Sequence, residues 1–256
     1  MKQYTITCDD CGLSEGINLA TADLHEKGIA TAASIVTNFP AAAHAFQLFA
    51  RYPKLELGVH LNLTDGFPLT RLSVSAPLTR ANGHFALRQV LFTRALLPSA
   101  SFLRMAEAEM RAQIEVFAKA GLQPQHITTH LHFHAVPSLR KIVLRLAGEY
   151  RIPWVRVHTL SAGVVPQNPF YSRRALSPSA RGMYGHDHLI DVKSWVGRQP
   201  AALLSVLAKL QGAVEFVVHP CTPLDETYPS NVRYLPYERF IEMRYLESIY
   251  PFLEPQ

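Results

Sequence analysis

The stretch Tyr4-Thr5-Ile6-Thr7-Cys8-Asp9-Asp10-Cys11-Gly12-Leu13-Ser14 decides how this chain is read. Tyr4 to Cys8 are β-branched or apolar enough for a central strand, and two carboxylates follow just where that strand should end. Gly12 and Ser14 come next, and Ser is a preferred helix N-cap. In an α/β protein, ligands bind beyond the carboxyl ends of the strands. Asp9 and Asp10 are therefore site candidates.

Downstream, strands and helices alternate. Glu15 to Lys27 puts Ile17, Ala20 and Leu24 on one helical face, and Gly28 stops it. Ala33 to Thr37 reads as a strand, Pro40 to Tyr52 as a helix and Leu55 to Leu63 as a strand. Pro68 to Pro98 has no clear period and is long for a structureless loop, so it is expected to fold over the site. Ser101 to Ala120 is an amphipathic helix with Phe102, Met110, Ile114 and Phe117 inward. Then come a strand over His126 to His132, a helix over Pro137 to Tyr150 and a strand over Trp154 to Val157. Ser161 to Leu189 is rich in Pro, Ser and Gly and offers loop. Ala201 to Leu210 reads as a helix, Val214 to Val218 as a buried strand with only Glu215 polar, and Tyr237 to Tyr250 as a closing helix. No internal repeat or second hydrophobic domain intrudes. The expectation is an α/β fold with mostly parallel strands, residues 1–256 forming a single catalytic domain with irregular insertions at about 68–98 and 161–189.

Composition narrows the function classes. With 48% hydrophobic and 18% charged residues among 256, the chain can bury a full core. The 25 Lys plus Arg exceed the 20 Asp plus Glu, giving net +5, but the basic residues are dispersed, and a clustered stripe is what nucleic acid requires. Residues 1 to 12 carry no long apolar run behind a basic region, and no segment approaches about 18 uninterrupted apolar residues, so neither a signal peptide nor a membrane span is expected and the cytoplasm is the default location. Three cysteines do not make a disulfide framework. The Cys8-Asp9-Asp10-Cys11 spacing also occurs in metal knuckles and redox pairs, but Cys8 belongs to a buried-looking strand and no second pair exists. Apolar packing accounts for it better.

The remaining polar residues fall on the same rim. His60 lies in Gly58-Val59-His60-Leu61-Asn62-Leu63-Thr64, and His130, His132 and His134 alternate in Thr128-Thr129-His130-Leu131-His132-Phe133-His134. His219 follows the strand Val214 to Val218 directly. Singly, each has a plain structural account: a capping carboxylate, a solvated strand face, a hydrogen-bonded core histidine, a loop histidine before Pro220. Together they sit at the carboxyl ends of strands expected to be parallel, where distant parts of a chain converge. One carboxylate and two imidazoles would make a three-ligand metal site with open positions, and a spare carboxylate and histidine would serve as base and acid in metal-assisted hydrolysis. Adjacent side chains on an extended backbone point apart, so one of Asp9 and Asp10 is expected as a ligand and the other as a base.

In these segments the sequence resembles the YdjC-like carbohydrate deacetylase family. The resemblance runs through Thr7 to Ser14 with Asn18, Gly58 to Thr64 with Gly66 and Pro68, Thr129 to His134 with Pro137, and Glu215 to Pro220, in that order over nearly the whole chain. It implies a NodB-like distorted (β/α) barrel with Asp10, His60 and His130 as ligands of Mg2+ or Zn2+, Asp9 as general base and His219 as general acid. The activity implied is removal of an N-acetyl group from an amino sugar or short oligosaccharide, with a homodimer compatible with it. A metal-dependent hydrolase of a non-sugar amide or a phosphoester, and an inactive sugar-binding protein, are the alternatives. Three positions depart from the family pattern: Cys11 where Phe is usual, Thr128 where Asp is usual, and Cys221 where Gly commonly follows Pro220. Thr128 removes a carboxylate that could orient an imidazole. Tyr171, Trp195, Phe85 and Phe92 are candidates to stack on a sugar ring, against ordinary packing, and the segments 68–98 and 161–189 are expected to wall the groove.

Overall fold

A computed structural model describes residues 4–70, 77–156, 185–230 and 232–253. Seven strands form one sheet in which every pairing is parallel: β1 (Tyr4–Cys11), β2 (Ala32–Ile35), β3 (Glu56–Leu61), β4 (His126–Thr129), β5 (Trp154–Val155), β6 (His188–Asp191) and β7 (Val214–Val218). Their spatial order is β5-β4-β3-β2-β1-β7-β6, so β1 is interior and most chain neighbours are also sheet neighbours. The helices are α1 (Glu15–Glu26), α2 (Ala42–Phe49), α3 (Arg88–Leu96), α4 (Ala100–Lys119), α5 (Pro137–Glu149), α6 (Pro200–Lys209) and α7 (Pro236–Ile249). The sheet curls into a half-barrel flanked by these helices, a form of the expected NodB-like barrel that stays open between β5 and β6 among the described residues.

Local sequence explains most of the elements. Ser14 caps α1 by accepting from the Ile17 amide, and Pro137, Pro200 and Pro236 each open a helix where a missing N–H costs nothing. On α4, Phe102, Met110, Ile114 and Phe117 are all buried as their spacing predicts. Each such burial is worth about 1.5–3 kcal/mol relative to exposure. Glu109 and Gln113 lie on the same buried face, where they hold the chain that leaves β3. Gln113 brackets Asn62, accepting from its amide at 2.8 Å and donating to its carbonyl at 2.7 Å. Glu109 accepts from the amides of Leu69 and Thr70 at 3.0 and 2.9 Å.

Register decides which residues meet at the rim. Cys8 pairs with Val218, which brings Asp9 and His219 out at one level, and His60 pairs with Thr128. β1 is longer than its apolar run. A register shift between Cys8 and Cys11 in its pairing with β2 carries the strand through both carboxylates, with Asp10 at a φ of 67°.

The reading of His126 to His132 as one strand is corrected. β4 stops at Thr129, and His130–Ala135 is a tight turn in which Leu131 and His132 take φ values of 53° and 48°. That left-handed backbone destroys the alternation, so the three histidines do not share a face. Within 68–98, helix α3 occupies Arg88–Leu96, and Leu189, at the end of the second irregular stretch, lies in β6. No helix among the described residues is long and apolar enough to cross a membrane.

Gly58 on β3 exists for a ring. A Cβ there would come within 2.1 Å of the His126 imidazole. That imidazole is held by Ser34 and Glu56, each at 2.9 Å, and stacked on Trp154, so it has nowhere to swing. Gly58→Ala is expected to lower stability by about 1–3 kcal/mol through overpacking, read as a fall in the urea midpoint. An unchanged midpoint would mean that the ring yields.

Candidate metal centre and proton-transfer groups

Asp10, His60 and His130 converge at the carboxyl ends of β1, β3 and β4. Asp10 Oδ1 lies 3.3 Å from His60 Nε2 and 2.8 Å from His130 Nδ1. One donor atom from each residue falls within 4.8 Å of the other two, so the three form a candidate metal-binding triad. One hard oxygen and two imidazole nitrogens are a donor set that divalent metals accept, and the outer atom of every ligand is already oriented. Thr128 Oγ1 is 2.6 Å from His60 Nδ1, Asp65 Oδ2 is 3.1 Å from His130 Nε2, and Arg239 Nη2 donates to Asp10 Oδ2 at 2.7 Å. The departure at Thr128 therefore puts a hydroxyl on the imidazole expected to lose a carboxylate partner.

The electrostatics of the cluster treat its two imidazoles differently. Burial alone would push the His130 imidazole down, but Asp10 and Asp65 outweigh it and raise its pKa to about 10. Burial lowers the pKa of His60, against the pull of Asp9 and Asp10. For Asp10, burial works upward and is overcome by His130 and Arg239, which hold the carboxyl well below the usual range.

Asp9 faces the same space without joining the triad. Its Oδ1 is 3.8 Å from His60 Nδ1, and its carboxylate receives two hydrogen bonds from Arg156, at 2.5 and 2.9 Å. Burial would raise its pKa, but Arg156 and then His60 reverse the effect and keep it ionised. Asp9 and Asp10 take different partners, and the cause is not an extended backbone. The bulge and the left-handed Asp10 turn both carboxylates toward His60, and different arginines then fix them apart. His219 presents Nδ1 to Glu242 at 3.2 Å, and its own amide donates to the same oxygen at 2.9 Å. The hydroxyl of Tyr234 donates to the other oxygen of Glu242 at 2.5 Å. Burial opposes protonation of His219, yet Glu242 wins and raises its pKa.

The other candidates fall elsewhere. His134 bonds Thr129 and the Arg156 carbonyl, bracing the turn, and His132 is not part of the triad. Phe85 and Trp195 are buried in the core and Phe92 packs against it, so these three are packing residues. Tyr171 and most of 161–189 lie outside the described residues. Part of the other segment does reach the rim, since the Phe85 amide donates to the Gly66 carbonyl next to Asp65.

Arg156, Arg239, Glu242 and Asp65 were missed at the level of sequence. Only the first had a signal: Glu215, the lone polar residue in an apolar strand, demands a buried cation, and Arg156 Nη2 supplies it at 2.7 Å.

Fold and site thus define a parallel α/β half-barrel with a carboxylate–histidine cluster on its carboxyl rim. The family described as YdjC-like protein matches residues 4–249, and the chain belongs to it. A carbohydrate deacetylase of Halalkalibacterium halodurans is 40% identical over 148 residues, covering 58% of this chain and 61% of that protein. Another, from Geobacillus stearothermophilus, is 36% identical over 160 residues, 62% of each chain. The matched stretch thus spans about six tenths of these relatives' own length. A solved structure, described as a candidate cellobiose-phosphate cleavage protein of Enterococcus faecalis V583, superposes with a TM-score of 0.78 at 21% identity. It covers 98% of this chain and 93% of that one and speaks to the fold.

Arg156 neutralises Asp9 and Glu215 at once, so Arg156→Met is expected to cost about 3–5 kcal/mol at neutral pH, because two buried carboxylates lose their partner. The pH dependence has a definite sign. In the wild type the Asp9 pKa is depressed on folding, so its contribution is present above the ordinary carboxylate value and fades as pH falls toward the depressed folded value. In the variant, burial raises the folded pKa and destabilises at high pH. The deficit should therefore shrink on acidification, as read by urea unfolding at several pH values.

Proposed function

We propose that this chain is a metal-dependent hydrolase that removes the N-acetyl group from an amino sugar or short oligosaccharide, with residues 1–256 acting as one catalytic domain. The observation that carries this reading is the convergence of Asp10 Oδ1, His60 Nε2 and His130 Nδ1, with Asp9 and His219 beside them. The relatives named as carbohydrate deacetylases support the substrate class. Asp10, His60 and His130 would hold Zn2+ or Mg2+, and two imidazoles favour Zn2+, since Mg2+ prefers oxygen. When bound, the cation supplies a Lewis acid for the acetamide carbonyl and the attacking water.

The chain's own residues account for the proton traffic. Asp9 is the acceptor for the proton of the attacking water. Arg156 keeps that carboxylate ionised and fixed in direction, at the cost of some basicity. His219 is the donor to the leaving amine, and Glu242 favours the protonated form that a donor needs. Acceptor and donor come from adjacent strands, β1 and β7, whose register sets them level. The loop Asn62–Thr70, held by Glu109 and Gln113, and the segment that packs on Gly66 would form one wall of the sugar groove.

The direct experiment measures acetate released from N-acetylglucosamine and its short oligomers, before and after metal removal by a chelator. Release that depends on added Zn2+ or Mg2+ is expected, and none from any of these sugars would remove the proposal. His60→Ala and His130→Ala should each lose most bound metal by elemental analysis. Wild-type stoichiometry in both would reject the ligand assignment. Asp9→Asn should keep its metal yet lose turnover by about 10² to 10⁴, the range of positioned proton transfer. A loss below about tenfold would argue against a base role.

A further inference from the structure

The triad uses one oxygen of Asp10, and the other is already taken. Oδ2 accepts from Nη2 of Arg239 at 2.7 Å, while Oδ1 faces both imidazoles. Arg239 lies on α7 and is 1% exposed. Its Nε donates to the Tyr228 hydroxyl at 2.8 Å and to the Tyr234 carbonyl at 3.1 Å. The rings of Tyr234 and Tyr228 lie against the guanidinium, 4.9 and 5.6 Å from Cζ to their centroids. This is a fixed charge, tethered at both ends and stacked on aromatic faces.

A fixed cation at Oδ2 acts on a metal at Oδ1 in two ways. It denies the metal the second oxygen, so Asp10 cannot serve as a two-oxygen ligand. It also repels the metal across one carboxylate, at a range where a buried site screens charge weakly. We propose that Arg239 is a positioning residue that holds Asp10 as a one-oxygen donor and makes cation binding weaker than the three ligands alone would give. The proposal rests on the reading of Asp10, His60 and His130 as a metal site. Its functional logic is that a ligand sharing its charge with an arginine donates less to the metal, which leaves the metal a stronger Lewis acid.

The sign of the effect separates this role from a merely structural brace. If Arg239 only held the rim in shape, its removal would loosen the ligands and weaken metal binding. The test titrates Zn2+ into metal-stripped protein against a chromophoric chelator. Arg239→Gln is expected to bind Zn2+ about tenfold more tightly than wild type, an effect of the size usual for partners of metal ligands. Arg239→Lys keeps the charge and should stay within about threefold of wild type. Tyr228→Phe removes one tether with little change of volume, and should tighten Zn2+ by about two- to threefold, so the test survives if Arg239→Gln fails to fold. Unchanged or weaker Zn2+ binding in Arg239→Gln, or in Tyr228→Phe where that variant stands alone, would overturn the inference and leave the metal site itself intact. Failure of the wild type to bind Zn2+ would remove the metal reading and this inference with it.

Discussion

Ionised carboxylates on consecutive buried residues repel each other and lose their hydration, so Asp9 and Asp10 can coexist only if each is matched by a buried cation. Both matches come from far away. Arg156 follows β5, at one edge of the sheet, and reaches Asp9 on β1, which is fifth in the spatial order from that edge. On a flat sheet four strand spacings amount to roughly 19 Å, beyond an arginine side chain. Curling brings the edge back over the centre, and the arginine then bridges Asp9 and Glu215 across the concave interior. Curvature and charge balance are thus one requirement: opening the sheet would strand two carboxylates, and removing the arginine would leave the curl without its polar bolt.

The five rim residues were legible in the sequence because parallel strands deliver all their carboxyl ends to one edge. The ends of the expected strands pointed to Asp9, Asp10, His60, His219 and the group His130, His132 and His134, and the family resemblance singled out His130. Their partners were not legible, for physical reasons. Arg156 depends on sheet curvature, which no local pattern encodes. Arg239 and Glu242 sit one turn apart on the buried face of α7, where a periodicity argument expects apolar residues. Backbone handedness was hidden too: alternating histidines read as a strand until Leu131 and His132 are seen in the left-handed region. Helix α3 escaped notice because it buries little beyond Leu91 and Ala95, and β6 because His188 and Asp191 bound a strand of four residues.

Rigidity is distributed unevenly around the rim. The candidate ligands, with Asp9 and His219, stand on or just after strands, whose backbone is fixed by the ladder. The loop beside His130 hangs instead from two polar side chains of α4, Glu109 and Gln113, which place a buried helical face on a loop rather than on apolar contact. That loop carries Asp65, so its seat is also the seat of His130.

Arg239 and Asp10 are separated by 229 positions in the chain. A ribosome adding about 5–20 residues per second needs roughly 10 to 45 s to deliver Arg239 after Asp10. Arg156, the partner of Asp9, is made on the way, 147 positions after it, but until α7 is complete Asp10 has no arginine, so water is its most favourable surroundings. The strand that becomes an interior member of the sheet is then the one least able to be buried early. Vectorial synthesis and electrostatics together make β1 and α7 meet late, and they give the nascent chain a reason to keep the Asp10 end of β1 open until α7 arrives.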